Sequence, residues 1–354
     1  MQPFVYQALS QRIVFGSGTL ARVGEELDRL AVKRALVLST AGHAMAAERL
    51  AAALGQRAAG VFAGAVMHTA VEVTDEALAA VGTARADALV VLGGGSTIGL
   101  GKAIALRTDL PQIAIPTTYA GSEATPVLGE TANGRKTTQR SPKILPEVVL
   151  YDVDLTLTLP VGVSVTSGMN AIAHAIEARY AEHRNPLISL LALDAIRALA
   201  GALPAIHANP GDRGARSDAL YGAWACGTCL GAVGMALHHK LCHVLGGSFG
   251  LPHAATHTVM LPHATAYNES VARAELRPVA DLLGAPTAAE GLYALERRLG
   301  APLTLRELGM PESGLDRAAD AAMADPYWNP RPLDRERLRQ LLADAYAGRP
   351  PRLD

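Results

Sequence analysis

The chain changes its hydrophobic period once, at Leu159-Pro160, and that change limits what it can fold into. Ahead of it, short apolar runs at 35–38, 88–92, 112–115 and 148–151 alternate with amphipathic stretches around 19–31, 43–54, 72–85 and 97–107. Near-continuous apolar strands separated by helices predict a parallel sheet covered on both faces, hence an α/β domain over residues 1–159. Phe4-Val5-Tyr6 and Ile13-Val14-Phe15 read as an extra hairpin at one edge of that sheet. Beyond Pro160, alanine, leucine and helix-period patterns run from about 164 to 347 without a strand series, which predicts an all-helical domain over 160–354. Arg349-Pro350-Pro351-Arg352 reads as a frayed tail. No internal repeat is present, and 354 residues at roughly 150 per domain agree with two domains.

Composition narrows the function. Lys plus Arg number 32 against 33 Asp plus Glu, a net charge of −1. Without a cationic excess, and with 4% aromatics for stacking, nucleic acid is not an expected partner. The apolar stretch at 190–203 carries Asp194 and Arg197, and no run reaches the roughly 18 apolar residues that a bilayer crossing needs. The first residues have neither a basic nor an apolar leader pattern, and three cysteines cannot frame a disulfide scaffold. The expectation is a cytoplasmic enzyme with no membrane partner.

Chemistry first shows at Gly93-Gly94-Gly95-Ser96-Thr97, which follows the strand at 88–92 and opens a helix through Lys102. Glycine lets a phosphate approach the backbone, and a helix N-terminus presents free N–H groups and positive dipole. One glycine would suffice for a tight turn; three followed by Ser-Thr point to phosphate binding by Gly93, Gly94, Gly95 and Ser96. Ile98 breaks the Gly-x-Gly-x-x-Gly dinucleotide fingerprint, and Gly101-Lys102 precedes Ala103, so no P-loop exists either. Pro116-Thr117-Thr118-Tyr119 follows the next strand, at the carboxyl edge where ligands of parallel sheets collect. Thr117 and Thr118 are therefore cofactor candidates, and Tyr119 is a substrate candidate. Thr40, after the strand at 35–38, stands where NAD-demanding enzymes carry an acid that repels a 2′-phosphate, so NADH and NADPH are both expected to serve.

Six of the eleven histidines fall between 238 and 263. His239 and His243 share one helical face, His253 follows a Gly246-Gly247 break that lets it fold back, and Asn170 and His174 sit four apart upstream. Burying imidazole needs partners, so histidines at this spacing in an apolar helical domain mark a candidate active site. Three converging imidazoles would suit Zn²⁺ or Fe²⁺, yet a catalytic metal site normally adds a carboxylate, and the residue one turn before His174 is Asn170. His257 and His263 read as ordinary core histidines. Cys226-Gly227-Thr228-Cys229 lies in a helical stretch without a second cysteine pair and reads as core packing.

Gly93-Gly94-Gly95-Ser96, Pro116-Thr117-Thr118, Leu145-Pro146-Glu147-Val148 with Asp152, and Leu159-Pro160 form one set of motifs. His174-Ala175-Ile176-Glu177 and the span from His239 to His253, ending in Leu261-Pro262-His263, form another. Together they resemble the iron-containing alcohol dehydrogenase family from about Gly16 to Asn268. The resemblance implies an N-terminal dinucleotide-binding α/β domain and an all-helical C-terminal domain, the dehydroquinate synthase-like architecture, in a homodimer. It also implies NAD(P) in a cleft and a metal held by Asp, His, His and His. His174, His239 and His253 match three of those ligand positions, and Asn170 stands where the Asp should be.

That departure, with Lys136-Thr137-Thr138 and Asn329-Pro330-Arg331-Pro332, is similar to one branch of the family. Its members reduce the carbon–carbon double bond of a conjugated keto-diacid with NADH or NADPH, in the degradation of aromatic compounds, without depending on a metal. On this resemblance Lys136 joins the cofactor candidates and Asn170 the substrate contacts, and the need for a divalent metal falls away. His243 is then the proton donor, while His174, His239 and His253 bind the small dicarboxylate; Lys136, Lys240 and Arg331 are further cationic candidates. The alternatives are a metal-dependent alcohol or glycerol dehydrogenase of the same architecture, and a nucleotide-binding regulator without catalysis. The retained polar groups argue against the regulator.

Overall fold

The structure, a computed structural model, describes residues 3–132 and 135–353, leaving out the side chains of residues 135 and 136. The chain forms two compact units, one over residues 9–159 and one over 160–353 together with 3–8.

The first unit runs β1 (Arg12–Phe15), α1 (Val23–Arg29), β2 (Ala35–Leu38), α2 (Ala44–Leu54), β3 (Ala58–Phe62), α3 (Val71–Ala84), β4 (Ala88–Gly93), α4 (Gly95–Thr108), β5 (Gln112–Pro116), β6 (Val127–Ala132), β7 (Arg135–Arg140) and β8 (Val148–Tyr151). Six strands form one parallel sheet in the order β1-β8-β5-β4-β2-β3. Every residue of β2, β4, β5 and β8 is buried, as apolar strands flanked by helices must be. Val37, Val90, Ile113, Ile115 and Leu150 fill the core on one face with Val23 and Leu27 of α1. β6 and β7 pair antiparallel as a separate polar hairpin.

The edge hairpin expected from Phe4-Val5-Tyr6 does not form. β1 pairs in parallel with β8, Ile13 opposite Val149, while residues 4–8 carry no strand and Phe4, Val5 and Tyr6 are exposed. Without a buried face there is nothing to fix a register for that segment.

The second unit runs α5 (Val161–Tyr180), α6 (Pro186–Ala208), α7 (Arg213–Val233), α8 (Leu237–Phe249), α9 (His253–Glu269), α10 (Arg273–Leu283), α11 (Ala288–Arg298), α12 (Leu315–Ala324) and α13 (Arg335–Ala347). Small residues let its helices approach closely: a Cβ on Gly168 of α5 would meet Leu203 of α6 at 2.7 Å, and one on Gly222 of α7 would meet Leu199 of α6 at 2.7 Å. By length and mean hydropathy of 1.7, α6 could cross a membrane, which the sequence reading did not anticipate. Asp194 and Arg197 interrupt it, and it packs between α5 and α7. Cys226 and Cys229 are buried on α7, and burial pushes the Cys229 thiol up to about 12, so both behave as core residues. The tail is not frayed: Arg349 and Arg352 both reach the buried Asp344, Arg352 Nε at 2.7 Å from its Oδ2.

Two buried charges shape the first unit's loops. Asp152 accepts from the amides of Gly18, Leu20 and Asp154, which fixes the turn after β1. Lys102, fully buried on α4, donates to the carbonyls of Ser122, Thr125 and Val127 and to Thr125 Oγ1. Burial draws its ammonium down to about 7 while nearby Glu123 opposes that. Lys102→Met removes the ammonium from three carbonyls and a hydroxyl; the Ser122 carbonyl keeps the Thr125 amide and hydroxyl, and each acceptor left buried without a donor costs about 1–3 kcal/mol. The expected result is a lower thermal unfolding midpoint by calorimetry; an unchanged midpoint would show that water replaces the ammonium freely.

Candidate active site

Three helices of the second unit place the functional side chains. Asn170, His174 and Glu177 lie on α5 at i, i+4 and i+7, one face of a helix whose neighbours bury it completely. α8 follows a break at Gly234, whose φ of 102° suits glycine, and carries His238, His239 and His243. It ends at Gly250 in the left-handed region, and Pro252 then starts α9, which carries His253 and His257.

Glu177 organises this arrangement. Its carboxylate accepts from the backbone N–H groups of Ala236 and His238, each at 2.7 Å, and so caps the start of α8. It also lies 2.6 Å from His239 Nδ1. Burial pushes the Glu177 carboxyl above the usual range, and His238 with the backbone N–H groups of Ala236, His238 and His239 pulls the other way. With His239 Nδ1 facing Glu177, its Nε2 lies 2.9 Å from His174 Nδ1. A second pair, His238 Nε2 and His257 Nδ1, is also 2.9 Å apart, with Cys242 Sγ 3.7 Å from His238 Nε2. The His257 ring sits centrally, 5.0 Å from that of His239 and 4.3 Å from that of His253. His253 is the exposed member of the group.

His243, half-buried, points Nδ1 at the Tyr327 hydroxyl, 2.9 Å away. Lys240 Nζ stands 5.3 Å over the Tyr327 ring and 3.6 Å from Asp325. Arg331 is committed elsewhere, donating to the Tyr267 carbonyl and covering that ring. Asn170 is buried on the His174 face.

The donor set does not fit the iron that the resemblance implies. His174 Nδ1 and His239 Nε2 lie 2.9 Å apart and are engaged with each other, and no carboxylate joins them as the anionic ligand that a catalytic metal site often carries. Asn170 brings no charge, and Glu177, the buried carboxylate beside them, is engaged by His239 Nδ1 and two amides. His238, Cys242 and His257, all buried, bring donor atoms within 4.8 Å of one another, a spacing that could hold a metal ion, with His238 Nε2 and His257 Nδ1 2.9 Å apart.

His257 is fully buried, as a core histidine is, and what its sequence position does not show is that its ring lies beside those of His174, His238, His239 and His253. The sequence reading passed over Glu177, three residues after His174 and so on its face, and His238, visible in the His238-His239 doublet. Tyr327 was missed as well, for it comes from a loop far along the chain. His263 lies apart, beside Asp344 and Tyr267 in a cavity of about 450 Å³.

In the first unit, Gly93, Gly94, Gly95 and Ser96 form the turn from β4 into α4. Gly93 has φ 155°, and a Cβ on Gly94 would meet Thr118 at 2.8 Å, so the second polar cluster presses against the loop. A Cβ on Gly95 would meet nothing within 4 Å, which leaves open space before the first amides of α4. These residues fit a dinucleotide phosphate. Thr117 donates its N–H to Gly93 O, and Tyr119 is fully buried. Thr40 Oγ1 is 3.1 Å from His43 Nδ1, a neighbour the sequence reading did not weigh. The Lys136 side chain lies outside the described residues.

Comparison with known proteins agrees with these motifs. Residues 10–153 match the family model described as iron-containing alcohol dehydrogenase, and residues 164–346 match that described as Fe-containing alcohol dehydrogenase family, C-terminal. The chain is 58% identical over 351 residues to a maleylacetate reductase of Rhizobium sp. (strain MTP-10005), covering 99% of this chain and 100% of the relative. It is 53% identical over 348 residues to a maleylacetate reductase of Burkholderia cepacia, covering 98% and 99%. Among solved structures, maleylacetate reductase from Agrobacterium tumefaciens superposes with a TM-score of 0.95 at 58% identity, over 99% of this chain and 100% of that one.

Burial holds three histidines of this unit neutral: His238 is pulled down to about 3, His263 to about 4, and His257 well below its ordinary value. The unfolded chain binds protons at these groups near pH 6.5, so the stability they lend is full above that pH and is lost as pH falls toward the folded values. Each group removes about 1.4 kcal/mol per pH unit within its window. The expected result is a steep fall in the unfolding midpoint between pH about 6.5 and 4, made shallower by His263→Gln. A flat profile over that range would contradict the buried neutral cluster.

Proposed function

The chain belongs to the iron-containing alcohol dehydrogenase family, and from that we propose that it is an NAD(P)H-dependent reductase converting maleylacetate to 3-oxoadipate in the breakdown of aromatic compounds. One observation carries the reading: at the ligand-like positions His174 and His239 are hydrogen-bonded to each other, beside the pair His238 and His257 that burial keeps neutral, with Asn170 in place of a carboxylate. Imidazoles can gain protons beside an anion, since a carboxylate within hydrogen-bonding distance favours the charged form. A dicarboxylate suits such a set, which lacks the anionic ligand that a catalytic metal site often adds. This favours the reductase over a metal-dependent alcohol dehydrogenase.

When bound, the reduced nicotinamide supplies a hydride to the alkene carbon β to the ketone. Gly93, Gly94, Gly95 and Ser96 hold the cofactor phosphates at the start of α4, with Thr117 and Thr118 beside them. Thr40 and His43 offer no charge that repels a 2′-phosphate, so both NADH and NADPH serve. As the double bond is reduced, negative charge moves to the ketone oxygen as an enolate. His174, oriented by His239 at its Nδ1, and the exposed His253 bind the carboxylates and that oxygen. His243 accepts the Tyr327 hydroxyl proton in a hydrogen bond at Nδ1, which keeps its own proton on Nε2. As that proton goes to the carbon α to the ketone, Tyr327 passes its hydroxyl proton to His243 Nδ1 and regains one from solvent, so His243 stays neutral and one hydride and one proton add across the double bond. The reading includes a homodimer in the cytoplasm, supported by the family resemblance, without nucleic-acid or membrane partners.

Two experiments test this. His243→Ala is expected to lower kcat by about 10²-fold, the size of a general-acid contribution. A loss under about threefold would remove His243 from the role. With maleylacetate and its monomethyl ester side by side, kcat/KM should fall steeply for the ester, because one set of cationic partners is left unpaired. An ester that matches the diacid, or butanol outrunning both, would favour the alcohol dehydrogenase alternative.

A further inference from the structure

Building on the proton-donor reading above, we propose that Asn329, paired amide to amide with Asn268, is a positioning residue that sets Tyr327 against His243. Residues 326–334, between α12 and α13, form neither helix nor strand and contain Pro326, Pro330 and Pro332. A segment of this kind has no ladder of its own to fix a side chain. Tyr327 nonetheless reaches His243 Nδ1 at 2.9 Å, so its register must come from elsewhere.

Asn329 supplies it. Its Nδ2 donates to Asn268 Oδ1 at 2.7 Å and to the Arg331 carbonyl at 2.7 Å. Its Oδ1 accepts from Asn268 Nδ2 at 2.9 Å and from the Leu237 amide at 3.4 Å. A carboxamide offers two donor and two acceptor positions, and Asn329 uses all four. Asn268 is fully buried on α9, and Leu237 opens α8, the helix that carries His243. The loop is thus referenced to the donor's own helix two residues from Tyr327.

The far end of the loop is held by the preceding residue of α9. Tyr267 donates its hydroxyl proton to the Pro332 carbonyl at 2.8 Å and accepts from the Asp334 amide at 3.1 Å. The Tyr267 carbonyl accepts from Arg331 Nη1 at 2.9 Å. Consecutive residues of one helix therefore pin both ends of a stretch that would otherwise have many conformations. An aspartate at 329 could still accept from Asn268 and Leu237 but could donate to neither Asn268 Oδ1 nor Arg331 O, so the position needs a carboxamide.

The test is a cycle of Asn329→Ala and Tyr327→Phe measured with maleylacetate in the full-length enzyme. Asn329→Ala is expected to lower kcat about tenfold and to leave KM within about twofold, since it misplaces a proton donor's partner and not the substrate. In the Tyr327→Phe background, removing Asn329 should cost less than about twofold more, because its effect passes through Tyr327. Losses that multiply, or a raised KM at unchanged kcat, would overturn the positioning role while leaving Tyr327 in place. A silent Tyr327→Phe would instead remove the proton-donor reading, and the positioning role with it. Asn268→Ser attacks the same pair from α9 and should reproduce the pattern if Asn329→Ala does not fold.

Discussion

Glu177 meets two demands with one carboxylate. α8 begins in a buried place where its first amides need an acceptor, and His239 at its third position needs its ring fixed. By accepting from Ala236, His238 and His239 together, Glu177 makes the helix start and the imidazole orientation one event. Once His239 is held by Nδ1, its Nε2 is aimed at His174, and the remaining rings pack round the pair. A buried carboxylate with fewer donors would be too costly to keep ionised.

The same constraint explains why this family's usual metal is a poor match here. The negative charge nearest the ligand-like nitrogens is turned toward α8, and Asn170 provides a dipole where a charge would be needed. What is left is an imidazole array whose inner members, His238 and His257, are kept neutral by burial. On the proposed reading charge enters such an array with the substrate, which would meet the exposed His253 and His243, hydrogen-bonded to Tyr327.

Much of the fold was legible from period alone. β2, β4, β5 and β8 are apolar along their whole length and buried on both faces, so no other element explains them. β3 escaped notice because Ala58–Phe62 is half-buried throughout and interrupted by Gly60. β6 and β7 escaped because Glu130, Thr131, Thr137 and Thr138 give a mostly polar ribbon, in which Leu128 packs beside Ala103 and Ile144. In the site, His174, His239 and His243 could be read from i, i+4 spacing. His257 could not, since a single histidine on a buried helix has the same local pattern whether it fills space or centres a cluster. Tyr327 is more than eighty positions from His243, and no local sequence pattern signals their 2.9 Å contact. The Arg349–Arg352 tail misled because its polarity suggested solvent, while its partner Asp344 is buried within α13.

The most direct test is the iron and zinc content of the enzyme as purified, measured together with maleylacetate turnover before and after EDTA. The account predicts far less than one ion per chain and turnover that survives the chelator, because hydrogen-bonded imidazoles stand where a cation would be held. Stoichiometric metal whose removal abolishes turnover, with activity restored by adding that metal back, would contradict it.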